Sequence, residues 1–532
     1  MASLTRSLLL LSTAALAAAL TACGGGDDAQ DGSGGNAGSG TGGGAGAGAQ
    51  VGSGGGGAGA GGSAGSAGGG LGGSNAGAGG VGTGGTGAGG VGTGGTGTGG
   101  VGTGGTGTGG MGTGGTGGAP KPGGYLGVPE PDWDFNPATP PSTTNTLPSS
   151  VSPGTVVSLS GTINSSFVIN CAGTAGNPAF VTGSAIVTSQ AEIKGQYCIV
   201  EGLDFRGKDG AVHISGHHIT LRKSKVSDTD TGWGSALSNS GHHVVVFDNT
   251  IGPSGDAKLN TDVDHHCIKW AGNDSWILGN RISACQGDGI QVGDQNNAPG
   301  AINRTYIAGN DIHGNLQTGV WIKNATDTVV SSNVVYDHND GGGSSPVCVG
   351  AQYSNSYTWF LANDLSNCGG GVKFQSSDGG DHRYTIYNLI HNTTGVGYDA
   401  NNPHSNFAIG DRSNSNETRA IIFNTLLTTH SGLATAYSGQ AKLTVCGNAV
   451  VTSGKQYLFE TQPGVFKDNQ FATSASALGL NASGEPQSGS PLIDKATCSL
   501  APLNLFKSRY GLDITDGRPK GGAWDIGAKE AP

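Results

Sequence analysis

The feature that most constrains the fold is a short apolar run ending in asparagine, which recurs through the second half of the chain. Eight such runs end in Asn249, Asn280, Asn310, Asn333, Asn363, Asn388, Asn424 and Asn448. Successive asparagines are 23 to 36 residues apart, and each is followed by a short apolar pair, a glycine-rich turn and a third strand-like run. A repeat of this length indicates one structural unit that buries its apolar face by stacking on its neighbours.

The constant position of the asparagine has a physical reason. A tight turn between two strands of each coil leaves backbone N–H and C=O groups that point inward. An amide side chain both donates and accepts, so stacked asparagines can satisfy those groups and one another. A β-meander would also give alternating runs, but it does not require asparagine at the same place eight times.

Three short strands per repeat with one asparagine at a fixed place resemble the right-handed parallel β-helix, and the resemblance covers nearly all of residues 154–532. It implies an all-β fold of roughly ten or more coils with an asparagine ladder. The stretches SPLID and DITDGRPKGGAWDIGAKE resemble the terminal segment of bacterial proteins of this group. We therefore expect residues 490–532 to cap the open edge of the last coil.

Glycine is concentrated ahead of the repeats. The chain of 532 residues has 105 glycines, and a ten-residue unit, VGTGGTGTGG, recurs from Val81 onward. Such a segment buries too little apolar area to offset the entropy cost of ordering it. We predict a flexible tether over residues 23–123, with a root-mean-square reach of roughly 50–60 Å. The proline-rich residues 124–153 are expected to form a transition to the folded part.

The N-terminus, residues 1–22, has the form of an export signal, with Arg6 followed by an apolar stretch and small residues. The sequence LTAC, ending at Cys23, resembles a bacterial lipobox. That resemblance implies lipidation of the Cys23 thiol and an outer-membrane lipoprotein that faces the periplasm or the cell surface. The alternative is an ordinary signal peptide with a chance cysteine.

Setting Cys23 aside leaves eight of nine cysteines, an even number that suits disulfides in an oxidising compartment. Stacked coils are spaced by about 4.8 Å, so cysteines at similar positions on adjacent coils can pair. We predict the sequential pairs Cys171–Cys198, Cys267–Cys285, Cys348–Cys368 and Cys446–Cys498. The alternative is that some of them are free buried thiols.

The third strand of each repeat carries the candidate site. The runs AVHIS, CIKWA, GIQVG, GVWIK, GVKFQ and GVGYD share a small, apolar, outward, apolar pattern. Strand side chains alternate between the two faces of a sheet, which predicts two outward rows. One row is His213, Lys269, Gln291, Trp321 and Lys373, and its neighbour includes Ser215, Lys323, Gln375 and Asp399.

Lysine and arginine together number only 26, so three lysines beside an exposed tryptophan on one sheet are unusual for this chain. A flat sheet with an aromatic ring and cations suits an extended acidic polysaccharide. The ring stacks on sugar C–H groups, while the lysines pair with uronate carboxylates. The alternative is that the lysines only keep a sheet face soluble.

Acidic residues gather at the ends of these strands. Asp264 precedes Lys269, while Asp288 and Asp294 flank Gln291. Carboxylates at adjacent turn ends could hold Ca²⁺ through oxygen ligands, although no segment has the calcium-loop spacing. The alternative is that they make local hydrogen bonds in turns.

Two motif comparisons within the pectate-lyase-like superfamily bear on activity. Polygalacturonases carry paired aspartates in a Gly-Asp-Asp run, whereas Asp288 here stands alone between two glycines. This argues against inverting hydrolysis, which needs two separated carboxyl groups. One pectate lyase family has Asp-Asp-Gly at a calcium site and a lysine base on a following coil. Asp288-Gly289, followed by Lys323 or Lys373, matches that arrangement in part.

The resemblance implies β-elimination. A cation, Ca²⁺ or lysine, neutralises the uronate carboxylate, and Lys323 or Lys269 removes the adjacent C–H proton. Lysine can take this role when nearby cations favour its neutral form. The alternative is a non-catalytic glycan-binding or structural surface protein, which the long tether and the incomplete motifs favour. A formal charge of −11 without a basic run makes nucleic acid a poor partner, and a monomer is expected.

Overall fold

The computed structural model describes residues 124–131, 142–208, 210–228, 234–256, 263–338, 346–375, 380–395, 407–412, 417–427, 430–435 and 441–531. The predicted export signal, the predicted lipidation site at Cys23, the predicted tether and Asp399 lie outside the described residues. Within the described part, no helix is long and apolar enough to cross a membrane.

The chain winds into a right-handed parallel β-helix, as the asparagine repeat predicts. Successive coils contribute strands to three faces, which we call A, B and C; face B is one parallel sheet, and faces A and C belong to a second sheet that is continuous through one long strand. One coil, for example, consists of His217–Arg222 on face A, Lys225–Asp228 on face B and Gly234–Asn239 on face C. Each strand pairs with the equivalent strand of the next coil, so every side-chain position forms a column along the helix axis.

Face A contains the strands that lead into the asparagine turns. They are β1 (Ser142–Thr144), β2 (Thr155–Leu159), β5 (Ala179–Gly183), the second half of β7 (Ala191–Glu201), β10 (His217–Arg222), β13 (His242–Phe247), β16 (Asn273–Leu278), β19 (Ile302–Ala308), β22 (Ala325–Ser331), β25 (Ser356–Leu361), β28 (Arg383–Ile386), β31 (Arg419–Ile422), β34 (Leu443–Cys446) and β37 (Val465–Lys467).

Face B is a sheet of 13 short strands in chain order. They are β3 (Thr162–Ile163), β6 (Ile186–Val187), β8 (Asp204–Gly207), β11 (Lys225–Asp228), β14 (Thr250–Ser254), β17 (Arg281–Ser283), β20 (Asp311–His313), β23 (Val334–Tyr336), β26 (Asp364–Ser366), β29 (Leu389–His391), β32 (Thr425–Leu427), β35 (Ala449–Val451) and β38 (Gln470–Ala472).

Face C carries the predicted outward rows. Its strands are β4 (Phe167–Ala172), the first half of β7, β9 (Val212–Ile214), β12 (Gly234–Asn239), β15 (His265–Trp270), β18 (Ile290–Val292), β21 (Val320–Lys323), β24 (Val347–Gln352), β27 (Gly370–Gln375), β30 (Phe407–Arg412), β33 (Ser431–Thr435) and β36 (Tyr457–Phe459). Strand β7 bends near Gly195 and Tyr197, which have positive φ, so it serves both faces.

The inward side chains of the three faces form one continuous core. Ile268, Trp270, Ile290 and Val292 are fully buried in it, which confirms the inward positions predicted for these strands. The apolar interior supplies the main driving force for stacking the coils, because each coil has an apolar face that only its neighbours can cover.

The asparagine ladder is present. The backbone N–H of Asn280 donates to Asn310 Oδ1 at 2.9 Å, and its Nδ2 donates to Asn310 Oδ1 and to the Val246 carbonyl, both at 3.0 Å. The same bonds connect each asparagine from Asn249 to Asn448 and continue to Asn469, a ninth member that the sequence pattern did not include.

The cysteines pair as predicted, in sequence order. The Cα atoms of the four pairs are 5.5 to 5.8 Å apart, within the usual span of a disulfide. Three of the bonds join neighbouring coils, whereas Cys446–Cys498 ties the last coils to the C-terminal segment.

The C-terminal segment covers a side of the β-helix, and the prediction that residues 490–532 cap the edge of the last coil is wrong. Helix α1 (Ala501–Tyr510) lies on the outside of face A, where Phe506 meets Trp359 edge-on at 4.8 Å between ring centroids. Its Arg509 forms an ion pair with Asp327, several coils before the C-terminal end. The reason is that the outward positions of face A are themselves apolar and aromatic, so this exterior has to be covered.

The predicted transition, residues 124–153, also takes part in the fold. The Trp276 indole N–H donates to the Pro129 carbonyl at 2.9 Å, and the Ser331 hydroxyl donates to the Leu126 carbonyl at 2.6 Å. Residues 124–131 therefore cover face A beside helix α1. Strand β1 pairs with β2, so the β-helix begins before the predicted boundary at residue 154.

Candidate functional site

The first predicted row forms a continuous column on face C. Its register is His213, Ser238, Lys269, Gln291, Trp321, Gly350, Lys373 and Gly410. The predicted members keep their order, but Ser238 and Gly350 stand between them. Sequence reasoning missed these two because the runs SALSN and VCVGAQ do not share the small-apolar-outward pattern of the other strands.

The second row lies beside the first. Lys323 is in register with Gln352, Gln375 and Arg412 on the three following coils. Lys323 and Gln375 were predicted here, whereas Gln352 and Arg412 were not. Gln352 and Arg412 each lie two residues after an outward position of the first row. They were missed because their strands were not among the six runs compared in the sequence. With Lys269 and Lys373, these residues make face C locally cationic on an acidic chain.

Asp294 pairs with Lys269 and feels the charge of Lys323, the two lysines that were predicted to be catalytic. Lys269 Nζ donates to Asp294 Oδ2 at 3.0 Å, and both side chains remain partly exposed. Burial raises the pKa of Asp294, but hydrogen bonds from the Asn296 N–H and Lys269, with the charges of Lys269 and Lys323, lower it overall. The side-chain amine of Lys323 makes no hydrogen bond within the described part of the chain, so it remains available to a ligand.

Trp321 lies flat on the sheet. A Cβ built on Gly350 would come within 2.0 Å of the indole Cζ3 atom, so only glycine leaves room for the ring there. The indole Nε1 donates to Gln352 Oε1 at 3.2 Å, which fixes the orientation of the ring. The result is an aromatic platform within the first row, between Lys269 and Lys373.

Gln291 was predicted to contact substrate, but its side chain is not exposed. It occupies the outward row between Lys269 and Trp321, but it is only 2% exposed. Its Nε2 donates to the Gly293 carbonyl at 3.1 Å. This burial removes Gln291 from the surface that a glycan can touch.

The three aspartates that were predicted to hold calcium are not brought together. Asp288 and Asp294 lie at opposite ends of strand β18, and one ion cannot bridge an extended strand of that length. Asp288 is buried and accepts from the Thr318 N–H at 3.0 Å. Asp264 accepts from Gln317 Nε2 at 3.1 Å. Calcium binding itself stays a prediction, and this ligand set is wrong.

His266 is a buried neutral imidazole beside the lysines. Burial lowers its pKa to about 3, the negative charge of Asp264 opposes that shift, and the charges of Lys269 and Lys323 add to it. Its Nδ1 accepts from the Asp288 N–H at 3.0 Å, so the ring proton belongs on Nε2. This histidine anchors the turn before strand β18.

The other residues predicted to contact substrate in the first row, His213 and Lys373, lie toward its two ends. His213 is hydrogen-bonded through Nδ1 to the Ser238 hydroxyl at 2.9 Å and through Nε2 to the Ser240 hydroxyl at 3.3 Å. Lys373 lines a small depression with Phe407 and Arg412. The site therefore extends over several coils and forms a long, shallow surface.

No protein family matches the chain, and no curated protein matches it. Among solved structures, the pectate lyase Pel9A is 15% identical, with a TM-score of 0.37 over 72% of this chain and 89% of that one. The alginate lyase AlyGC of family PL6 is 14% identical, with a TM-score of 0.41 over 60% of this chain and 51% of that one. The tailspike of the E. coli bacteriophage HK620, solved with a pentasaccharide, is 10% identical, with a TM-score of 0.36 over 60% of this chain and 69% of that one.

The aligned part spans about half the length of AlyGC. At these identities and TM-scores the comparisons carry no argument about activity.

Proposed function

We propose that face C binds an acidic polysaccharide and cleaves it by β-elimination. The observation that carries the proposal is the grouping of Lys269, Asp294 and Lys323 beside the flat ring of Trp321. A cationic surface with an aromatic platform fits a polymer that has a carboxylate on a sugar ring, since the ring and the cations contact different parts of one residue.

The two lysines take different roles. Lys269 is held by Asp294 and keeps N–H donors for the uronate carboxylate, whose charge it offsets. Lys323 in its neutral form accepts the proton from the carbon next to that carboxylate. The electron pair forms a carbon–carbon double bond, the bond to the leaving glycosidic oxygen breaks, and that oxygen takes a proton from water.

Product formation tests the proposal. The full chain is incubated with pectate, alginate and glycosaminoglycans, and the ultraviolet absorbance of the unsaturated uronate product is followed. Each assay is run with added Ca²⁺ and with a chelator, which also tests the predicted calcium requirement. A rise in absorbance on one polymer supports elimination. Retention on a glycan column without any product supports the non-catalytic alternative.

Gly350→Ala tests the aromatic platform. The added methyl group meets the indole, so we expect the ring to tilt away from the sheet and glycan binding to weaken by about 2- to 10-fold, the range of one aromatic contact. Binding is measured by affinity electrophoresis in polymer-containing gels. Trp321→Ala should weaken binding by a similar factor. Unchanged retention of both variants would contradict a role for this ring.

The proposal includes a monomeric lipoprotein anchored through Cys23 in the outer membrane. Its support is the lipobox-like sequence LTAC ahead of the glycine-rich tether. We expect the wild-type chain, expressed in a bacterium, to partition into the detergent phase of a Triton X-114 extract, and Cys23→Ser to move to the aqueous phase. Aqueous partitioning of the wild-type chain would contradict the anchor.

A further inference from the structure

Four histidines form a two-by-two grid at the start of two strands of face A, beyond the His213 end of the proposed glycan surface. The sequence Ser-Gly-His-His occurs twice, at residues 215–218 and 240–243, and each copy begins a strand of face A. His217 is in register with His242. The rings of His217 and His242 stack at 5.0 Å between centroids, and those of His218 and His243 stack at 4.6 Å.

Within each coil the two rings meet through the same nitrogen. The Nδ1 atoms of His217 and His218 are 2.9 Å apart, and so are those of His242 and His243. His218 and His243 both have φ of 53°, in the left-handed region, which turns the second ring toward the first. Tyr197 stacks on His218 at 4.4 Å and holds the grid at one end.

We propose that each histidine pair chelates one divalent transition-metal ion through its two Nδ1 atoms. Metal–imidazole bonds are ~2.0–2.1 Å long. Two such bonds at a right angle place the nitrogens ~2.9 Å apart, whereas a tetrahedral angle requires ~3.3 Å. The observed 2.9 Å separation lies within about 0.4 Å of both values, so either pair can close on one ion, and Cu²⁺ is the divalent first-row ion that such nitrogen ligands bind most tightly.

Binding needs only a local rearrangement. In the metal-free pair one Nδ1–H donates to the other Nδ1. An ion replaces that proton when the donor ring moves its hydrogen to Nε2 and both rings rotate so that their lone pairs converge. No proton is lost from a neutral pair, and no electron transfer is involved.

The stacking of the pairs predicts a second property. Ions on adjacent coils would be separated by the coil spacing, about 4.8 Å. Repulsion between two divalent ions at that distance, screened by water and salt, weakens the second binding step by roughly 10- to 100-fold. The grid is thus expected to take up two ions with unequal affinity.

Copper titration of the full chain tests the proposal. We expect two Cu²⁺ ions per grid by isothermal titration calorimetry, and a half-field signal in the electron paramagnetic resonance spectrum from the two coupled ions. His217→Gln/His218→Gln should lose one ion and the half-field signal, and His242→Gln/His243→Gln should do the same. In each of these variants the remaining ion should bind within about 2-fold of the first ion of the wild type and more tightly than the second, because no neighbouring ion repels it.

A matched control removes histidines outside the grid. His313 and His382 each stack on a tyrosine ring, and the variant His313→Gln/His382→Gln should retain both ions and the coupled signal. The variant without all four grid histidines measures copper bound elsewhere, including at the chain terminus. Equal copper uptake by this variant and the wild type, with circular dichroism unchanged, would overturn the proposal.

Discussion

Replacing Lys323 with alanine is expected to lower kcat by about 10²–10⁴-fold on the polymer that the wild-type chain cleaves, the usual contribution of a positioned general base. Lys269 and Trp321 remain in place in this variant, so KM should change little. Initial rates of double-bond formation across a range of polymer concentrations separate the two parameters. A loss confined to kcat indicates an interaction made in the transition state.

Two further variants identify the role of the amine. Lys323→Arg keeps the positive charge but cannot act as a base near neutral pH, so it should be as inactive as the alanine variant. Lys225→Ala removes an exposed lysine from face B and should leave the rate unchanged. A raised KM with unchanged kcat in Lys323→Ala would instead assign Lys323 to substrate binding, and normal turnover by Lys323→Arg would rule it out as the base.

The fold was predictable because its constraints are local and repeated. Each asparagine satisfies the same turn in every coil, so its spacing alone predicted the ladder and the stacking of strands. The disulfides followed from coil spacing. Asn469 was missed because the run before it, VFKDN, is less apolar than the other runs.

Of the candidate site, only the two outward rows of side chains were predictable from the sequence. Alternation along a strand places Lys269 and Lys323 on the outer surface, but it does not say which neighbours cover them. Gln291 is buried in its column between Lys269 and Trp321, and Trp321 lies flat because Gly350 is on the next coil. Both facts depend on register between strands, which a single strand does not encode.

The sequence analysis also did not predict that the exterior of face A is apolar, or that charged side chains lie in the interior near the C-terminal coils. Arg383 and Arg419 continue the inward column of Thr305, Thr328 and Thr358, where apolar or small side chains are expected. Arg419 Nη1 donates to Asp411 Oδ2 at 2.8 Å, and Arg383 pairs with Glu417 at 3.3 Å. Burial raises the pKa of Glu417 to about 7, an effect that the charges of the arginines oppose.

Arg419→Met is therefore expected to destabilise the β-helix by about 3–5 kcal/mol, because it leaves the Asp411 carboxylate buried without its cation. Both members of this pair are only 1% exposed at the side chain, so water cannot replace the lost partner without opening the coil. The free energy of unfolding is measured by urea titration at pH 7, with the disulfides intact, from the change in circular dichroism.

Removing both charges provides the decisive comparison. Asp411 is in register with Thr435 on the next coil and with Phe374 on the preceding one, so threonine fits its position. The double variant Arg419→Met/Asp411→Thr should recover most of the stability lost in Arg419→Met, because an uncharged pair has no desolvation cost to offset. If the double variant is as unstable as the single one, the cost lies in the packing of the arginine side chain, and the buried charge of Asp411 is then held by other groups.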